Sequence, residues 1–212
     1  MKSFSKWTID EVEETFQIVL HDQTGLLKEW LDIRSQPLPD EEKRLVLLRK
    51  KLWKHVFDWN ETELSVHFIG QLLDMADFDQ DDYQPFMERE LSFSYKDEII
   101  SGVVDLVVAQ GRRSPKRHFF FINEYKKDKD SSNDPLGQLM IVMIAAQKLN
   151  NDDHPLYGAY VMGRYWNFVV LDKLEYSLSL SFDATKDEIK DIFCILTNTK
   201  AIIKDLLRKL KD

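Results

Sequence analysis

The sequence predicts an α/β fold, a mixed β-sheet core flanked by helices and preceded by an N-terminal helical extension. Apolar residues recur at helical spacing over residues 9–31, 40–57 and 60–76. Short segments rich in β-formers follow at residues 86–95, 99–109 and 118–126. A stretch that is apolar almost all round, residues 136–149, then precedes further strands, as expected of a buried helix.

The N-terminal helices are divided by Gln36-Pro37-Leu38-Pro39, and Asp40 is placed to cap the second helix. We expect residues 1–58 to form a helical region packed on a core domain of residues 59–212. The next helix, residues 60–76, has an apolar face that includes Leu64 and Phe68.

The three β-rich segments are predicted to form sequential antiparallel strands. Asp134 and Pro135 then supply an N-cap and a first-turn proline for the apolar helix. Because that helix is buried, it permits a crossover to a parallel strand. Strands are predicted at residues 157–162 and 166–171, with a further strand at 176–182 and a final amphipathic helix over 186–210.

Composition limits the functional classes. The chain has 212 residues, of which 43% are hydrophobic, so it can bury one sizeable core. A formal net charge of -8 argues against a general nucleic-acid coat protein but allows a local basic site. The single cysteine, Cys194, excludes an internal disulfide framework. With no apolar signal region at the N-terminus and no stretch near the roughly 20 apolar residues that span a bilayer, we expect a cytoplasmic protein without a membrane partner.

The segment FFFINEYKKDKD, residues 119–130, passes from an apolar strand into charge. In a strand, Glu124 and Lys126 project from the same face. Other Glu-x-Lys sequences, at residues 41–43 and 188–190, fall in predicted helices, where a spacing of two separates side chains by about 200°. The strand copy alone can act as one site.

A second carboxylate, Asp105, is the only charged residue between Glu98 and Arg112. Such a residue in an apolar run is costly to bury unless it is paired or binds a cation. Together with Glu124 and Lys126 on a neighbouring strand, it suits a site for Mg²⁺, which prefers hard oxygen ligands. The same residues also allow a buried salt bridge, Asp105 or Glu124 with Lys126.

The order of these features over residues 60–171 resembles the PD-(D/E)xK nuclease superfamily, and in particular its restriction-type modules. The matching motifs are Gly102-Val103-Val104-Asp105 and Glu124-Tyr125-Lys126, with Val104 where the motif's name has proline. The resemblance implies a restriction-endonuclease-like core and hydrolysis of DNA by water activated on Mg²⁺ (or Mn²⁺). It also implies that Asp105, Glu124 and the Tyr125 backbone carbonyl hold the ion, while Lys126 orients the water and stabilises charge.

The superfamily commonly adds a glutamate from the first core helix. Advancing about 100° per residue places Glu61 on the apolar stripe and Glu63 opposite it, so Glu61 is the candidate catalytic and metal-binding residue. Both glutamates also suit a helix N-terminus without any further role. Related nucleases often place a glutamine beside the catalytic lysine, which makes Gln138 a candidate, although it could equally face solvent.

Basic residues surround the same strand and could supply a phosphate-binding field or form a solvated hairpin tip. They are Arg112, Arg113, Lys116 and Arg117 before it, and Lys126, Lys127 and Lys129 after it. The five histidines show no metal-ligand spacing and are assigned no chemistry.

These features predict a Mg²⁺-dependent nuclease acting on DNA. The alternative is a nuclease-like fold that has lost catalysis and serves as a nucleic-acid or protein binding module. The acidic net charge favours that alternative, or a partner protein that supplies DNA binding.

Overall fold

A computed structural model describes residues 2–22, 25–33, 35–126 and 134–211. Within these residues the chain forms a mixed sheet of nine strands with helices on both faces, which confirms the α/β class. The helices are α1 (Ile9–Phe16), α2 (Gly25–Leu31), α3 (Pro39–His55), α4 (Glu61–Leu64), a π-helical turn (Ser65–Ile69), α5 (Gly70–Ala76), α6 (Pro135–Asn150) and α7 (Ile189–Lys211). The strands are β1 (Lys2–Ser3), β2 (Val19–Leu20), β3 (Gln84–Tyr95), β4 (Glu98–Gln110), β5 (Lys116–Lys126), β6 (Leu156–Met162), β7 (Tyr165–Asp172), β8 (Glu175–Leu178) and β9 (Phe182–Asp183).

The centre of the sheet follows the prediction. Strands β3, β4 and β5 pair antiparallel in sequence order. Helix α6 then returns the chain so that β6 pairs parallel to β5, from Phe121↔Tyr157 to Lys126↔Met162. The predicted N-cap is confirmed, because the Asp134 carboxylate accepts the Gly137 N–H at 3.0 Å. The predicted crossover helix is therefore present and buried.

The two faces of the sheet carry separate apolar cores. One core contains α6, whose residues from Leu139 to Ala146 are all buried, together with the segment around α1. The other contains side chains from α2, α3, the helix of residues 61–76 and α7, with Trp30 at its centre. The sheet is thus the middle layer of three, which is the usual solution for an α/β domain.

The N-terminal region departs from the prediction of continuous helix over residues 9–31. Helix α1 ends at Phe16, the following Gln17 adopts the left-handed conformation with φ of 58°, and Val19–Leu20 then pairs parallel with β8. β1 pairs with β4 in the same way. Residues before position 59 therefore add two strands to the sheet as well as helices.

Three smaller predictions were wrong in detail. Asp40 does not cap α3; its carboxylate accepts from Lys43, while the Glu41 carboxylate accepts the Leu38 N–H at 2.7 Å. The helix of residues 60–76 contains the π-helical turn. The predicted strand of residues 176–182 is split into β8 and β9, and in the interval between them the Ser179 hydroxyl accepts the Phe168 N–H.

Candidate functional site

The candidate site lies where β4 and β5 part. Their backbone pairing ends at Leu106↔Asn123. β3 occupies one edge of β4, so β1 and β5 share the other edge, with β1 at Ile100 and Ser101. The Gly102-Val103-Val104-Asp105 motif fills the interval between them. A Cβ on Gly102 would lie 2.7 Å from the Phe4 ring, so glycine is needed for Phe4 to pack here.

The Asp105 carboxylate makes the next hydrogen bond between β4 and β5, just beyond the end of their backbone pairing. Continuing the register by one step places Asp105 opposite Glu124. Asp105 Oδ2 accepts the backbone N–H of Tyr125 at 2.9 Å, which satisfies a strand amide that the ladder no longer reaches. This bond fixes the position of Asp105 relative to the Glu124-Tyr125-Lys126 motif.

Glu124 is a buried carboxyl beside another carboxylate. Its exposed fraction is 3%, and its Oε1 atom has no hydrogen-bond partner among the described residues. Burial raises the pKa of Glu124 well above its usual value, and the negative charge of Asp105 raises it further, while Lys126 opposes the shift. The arrangement favours a protonated Glu124 within hydrogen-bonding reach of Asp105.

Lys126, the last residue of β5, brings the helical glutamate into the site. Its ammonium donates to the Tyr125 carbonyl at 3.1 Å and to Glu61 Oε1 at 3.2 Å, and it lies 3.8 Å from Asp105 Oδ2. Burial alone would lower the pKa of Lys126, but the surrounding carboxylates outweigh it and raise that pKa. With Glu124 protonated, Asp105 and Glu61 supply most of this effect.

The two glutamates of α4 have different partners. Asn60 caps the helix by accepting the Glu63 N–H at 2.9 Å, and the Glu63 carboxylate accepts the Asn60 N–H at 2.8 Å. Glu63 is therefore occupied at the cap, while Glu61 reaches Lys126. A second contact joins the same helix to β5, because the Ser65 hydroxyl donates to the Tyr125 hydroxyl at 3.0 Å.

Gln138 is buried at the start of α6, so it does not face solvent. Its side-chain amide donates to the Ser5 carbonyl at 3.3 Å and thereby ties α6 to the N-terminal segment. Within the described ranges this polar contact is to Ser5 rather than to Lys126 or the two strand carboxylates.

The basic residues before β5 lie at the end of the strand opposite Lys126. Lys116 and Arg117 begin β5, and Lys116 pairs with Gln110, which at about 3.3 Å per residue lies roughly 17 Å along β4 from Asp105. Arg112 and Arg113 are exposed in the preceding turn. Lys127 and Lys129 lie outside the described residues. The first four basic residues are therefore remote from Asp105.

Over the parts of the chain that the structure describes, no group of three or more His, Cys, Asp or Glu side chains is arranged to hold a metal ion. At this site the Lys126 ammonium lies within 4 Å of both Glu61 and Asp105. The oxygen ligands that β4 and β5 themselves provide are the carboxyl groups of Asp105 and Glu124 and the Tyr125 carbonyl.

Two features were missed from the sequence. Asn123 is fully buried, and both atoms of its amide lack a hydrogen-bond partner among the described residues. The signal was an asparagine inside an apolar strand. At the far end of β5, Asp152 lies between two histidines, 3.2 Å from His118 Nε2 and 3.1 Å from His154 Nδ1. The two nitrogens face different oxygens of one carboxylate, and burial lowers the pKa of His118.

No model of a protein family matches the chain, and no curated protein matches it significantly. None of the helices in the described ranges has the length and apolar character needed to cross a membrane.

Proposed function

We propose that the chain is a metal-dependent nuclease that hydrolyses phosphodiester bonds in DNA. In this proposal residues 59–212 form a restriction-endonuclease-like domain, residues 1–58 pack on it, and the protein is cytoplasmic. The observation that carries the proposal is the buried Glu124 carboxyl beside Asp105, with the nearby ammonium of Lys126 directed to Tyr125 and Glu61. With Glu124 protonated, the Asp105 and Glu61 carboxylates share the single positive charge of Lys126, an imbalance that a divalent cation would correct.

The donor set suits Mg²⁺ or Mn²⁺. Mg²⁺ is usually held by one or two carboxylates together with waters and substrate phosphates. Asp105, Glu124 and the Tyr125 carbonyl would hold it, with Glu61 beside them. The buried Glu124 Oε1 without a partner is an oxygen that such an ion would satisfy. When bound, the ion would lower the pKa of a bound water and neutralise charge on the phosphate.

The chain's own residues would orient and stabilise the reacting groups. The raised pKa of Lys126 keeps it protonated at neutral pH, so it would serve as a hydrogen-bond donor and positive charge rather than as a base. It would donate to a phosphate oxygen and stabilise the charge that develops there. Asp105 and Ser65 position Tyr125, through its N–H and its hydroxyl. Gln138 would act indirectly, by joining α6 to the N-terminal segment.

A nuclease-like fold without catalysis is the second candidate. One observation favours it: the ammonium of Lys126 already pairs with Glu61 and Asp105, so the group resembles a structural ion-pair network. Such a module would bind nucleic acid or a partner protein without cutting.

Cleavage assays separate the two candidates. Plasmid and single-stranded DNA are incubated with the pure protein and Mg²⁺ or Mn²⁺, with EDTA as a blank. Asp105→Asn, Glu124→Gln and Lys126→Met should each lower the cleavage rate by at least about 100-fold. The matched controls are Glu98→Gln, on β4 like Asp105, and Lys28→Met, on α2. Both change exposed residues and should retain activity. Metal-dependent cleavage that survives all three site substitutions would refute the site, and no cleavage of any substrate would favour the binding module.

A further inference from the structure

Helix α3 is strongly basic after its first turn, in an acidic protein. Between Lys43 and Phe57 the chain carries six Lys or Arg residues and no Asp or Glu, although the formal net charge of the protein is -8. Leu45, Leu48 and Leu52 bury one side of the helix against the core. The opposite side is therefore the place where this charge meets solvent.

That opposite side also carries large exposed apolar residues. Leu47 and Trp53 on α3 have exposed fractions of 65% and 64%, and Phe57, in the turn directly after α3, has an exposed fraction of 76%. Lys50 and Lys54 lie among them and are exposed. We call these five residues the outer face of α3.

The lysines of the outer face are available to a ligand. Lys43 pairs with Asp40, Arg44 with Asp74 and Arg49 with Asp187. Among the described residues, Lys50 and Lys54 form no ion pair. An exposed surface with aromatic rings between unpaired lysines differs from the mixed-charge surface that a solvated helix usually shows.

The outer face adjoins the candidate site. Phe57 and Glu61 are four residues apart, so their Cα atoms are at most about 15 Å apart. The turn between them is anchored to α3 by Trp59, on which the His55 ring stacks at 5.1 Å and over which the Lys51 ammonium lies at 5.8 Å. A strand bound at Lys126 would therefore have only a short distance to cross before reaching Phe57.

We propose that the outer face of α3 binds single-stranded nucleic acid and leads it to the site at Glu61 and Lys126. Unpaired bases would stack on Trp53 and Phe57, as they do on aromatic side chains in single-strand binding proteins. Lys50 and Lys54 would contact the phosphates as point charges. This inference rests on the proposed function in taking nucleic acid as the substrate, and it specifies a single strand.

Binding is measured separately from cleavage. The full chain is titrated into fluorescein-labelled oligo(dT) in EDTA, and anisotropy gives the affinity at several NaCl concentrations. Trp53→Ala and Phe57→Ala should each weaken binding at least ten-fold. Lys50→Ala combined with Lys54→Ala should reduce the slope of log affinity against log salt by about 1.4, because each single-strand phosphate contact contributes about 0.7. Leu180→Ala and Lys28→Ala, exposed elsewhere, are the matched controls and should bind as the wild type does.

Several results would overturn the inference. One is equal affinity for oligo(dT) in the α3 variants and the controls; another is loss with the lysine variant but not with either aromatic variant. Binding to phosphatidylserine vesicles without oligo(dT) binding would identify a membrane surface instead, and a dimer dispersed by Phe57→Ala without oligo(dT) binding would identify a second copy. Binding of oligo(dT) through α3 without any cleavage would support this inference and contradict the proposed nuclease function. Cleavage together with binding that the α3 variants leave unchanged would support the nuclease function and contradict this inference.

Discussion

Replacing Lys126 by methionine tests whether its ammonium and a divalent cation compete for the same oxygens. The ammonium donates to the Tyr125 carbonyl and to Glu61, and lies 3.8 Å from Asp105. Methionine keeps most of the apolar stem and removes the charge. If Tyr125 and Asp105 are metal ligands, the variant should lose stability without added ion and should respond more strongly to Mg²⁺ than the wild type.

The loss follows from the two hydrogen bonds. The Glu61 side chain is 45% exposed, so its ion pair contributes at most about 1 kcal/mol. The bond to the Tyr125 carbonyl, made by a charged donor that is 19% exposed, contributes a similar amount or somewhat more. The total is about 2 kcal/mol, which for a chain of this size lowers Tm by about 4–8 °C. A ten-fold tighter affinity for Mg²⁺ would return about 1.4 kcal/mol at saturating ion, or about 3–6 °C.

Differential scanning calorimetry measures both effects. Wild type and Lys126→Met are heated in 10 mM MgCl₂ and in NaCl of equal ionic strength, so that general screening cancels. Adding Asp105→Asn to Lys126→Met should abolish the extra response to Mg²⁺, because it removes a proposed ligand. An equal Mg²⁺ response in wild type and Lys126→Met, or none in either, would refute competition at this site and leave the group as an ion-pair network.

Other parts of the structure give further predictions. Glu124→Gln should raise Tm at pH 7, because folding raises the pKa of this carboxyl through burial and then through the charge of Asp105. The cost of this raised pKa to the free energy of folding grows as pH rises above the unfolded value of 4.5, so the gain in Tm should shrink toward pH 4.5 in a pH series of melts. A gain in Tm that is independent of pH would contradict this. Asn150→Ala should lower the free energy of unfolding, measured in urea, by about 2–4 kcal/mol, because the Asn150 side chain accepts from the N–H of Phe119 at 2.8 Å and donates to its carbonyl at 2.9 Å. A loss below about 1 kcal/mol would show that water replaces the Asn150 amide as the partner of these groups. Asp134→Ala should cost about 2 kcal/mol and Asp134→Asn about half, because its two oxygens bond the first turns of two different helices; equal losses in urea melts would contradict the two-bond account.

The central strands and the proximity of Asp105, Glu124, Lys126 and Glu61 in the candidate site could be predicted because their information is local. Alternation within residues 118–126 fixed which side chains share a face, and the adjacent β4 supplied Asp105. The helical wheel distinguished Glu61 from Glu63 for the same reason, since both lie in the first turn of one helix. Short-range periodicity was enough wherever the partner element was a sequence neighbour.

The rest depended on contacts that no local pattern encodes. The strands Lys2–Ser3 and Val19–Leu20 have two residues each and exist only because β4 and β8 offer free edges. The bond between Ser65 and Tyr125 joins residues 60 positions apart. Burial of Gln138 against Ser5 likewise spans the chain. The sequence showed suitable residues in each case, but the partner was set by tertiary packing.

The acidic net charge does not oppose a nucleic-acid ligand, because screening makes the local field decisive. At physiological salt the Debye length is about 8 Å, so charges farther away contribute little to binding at a given surface. Residues 43–57 include no acid, and the outer face of α3 carries Lys50 and Lys54 unpaired among the described residues. Remote carboxylates would instead repel the strand elsewhere and confine it to α3. We expect binding to strengthen as salt is lowered to about 50 mM and then to weaken as the Debye length exceeds about 14 Å, because carboxylates elsewhere on the protein are then no longer screened from the bound strand. The salt concentration of that turning point would indicate the distance between the basic surface of α3 and those carboxylates.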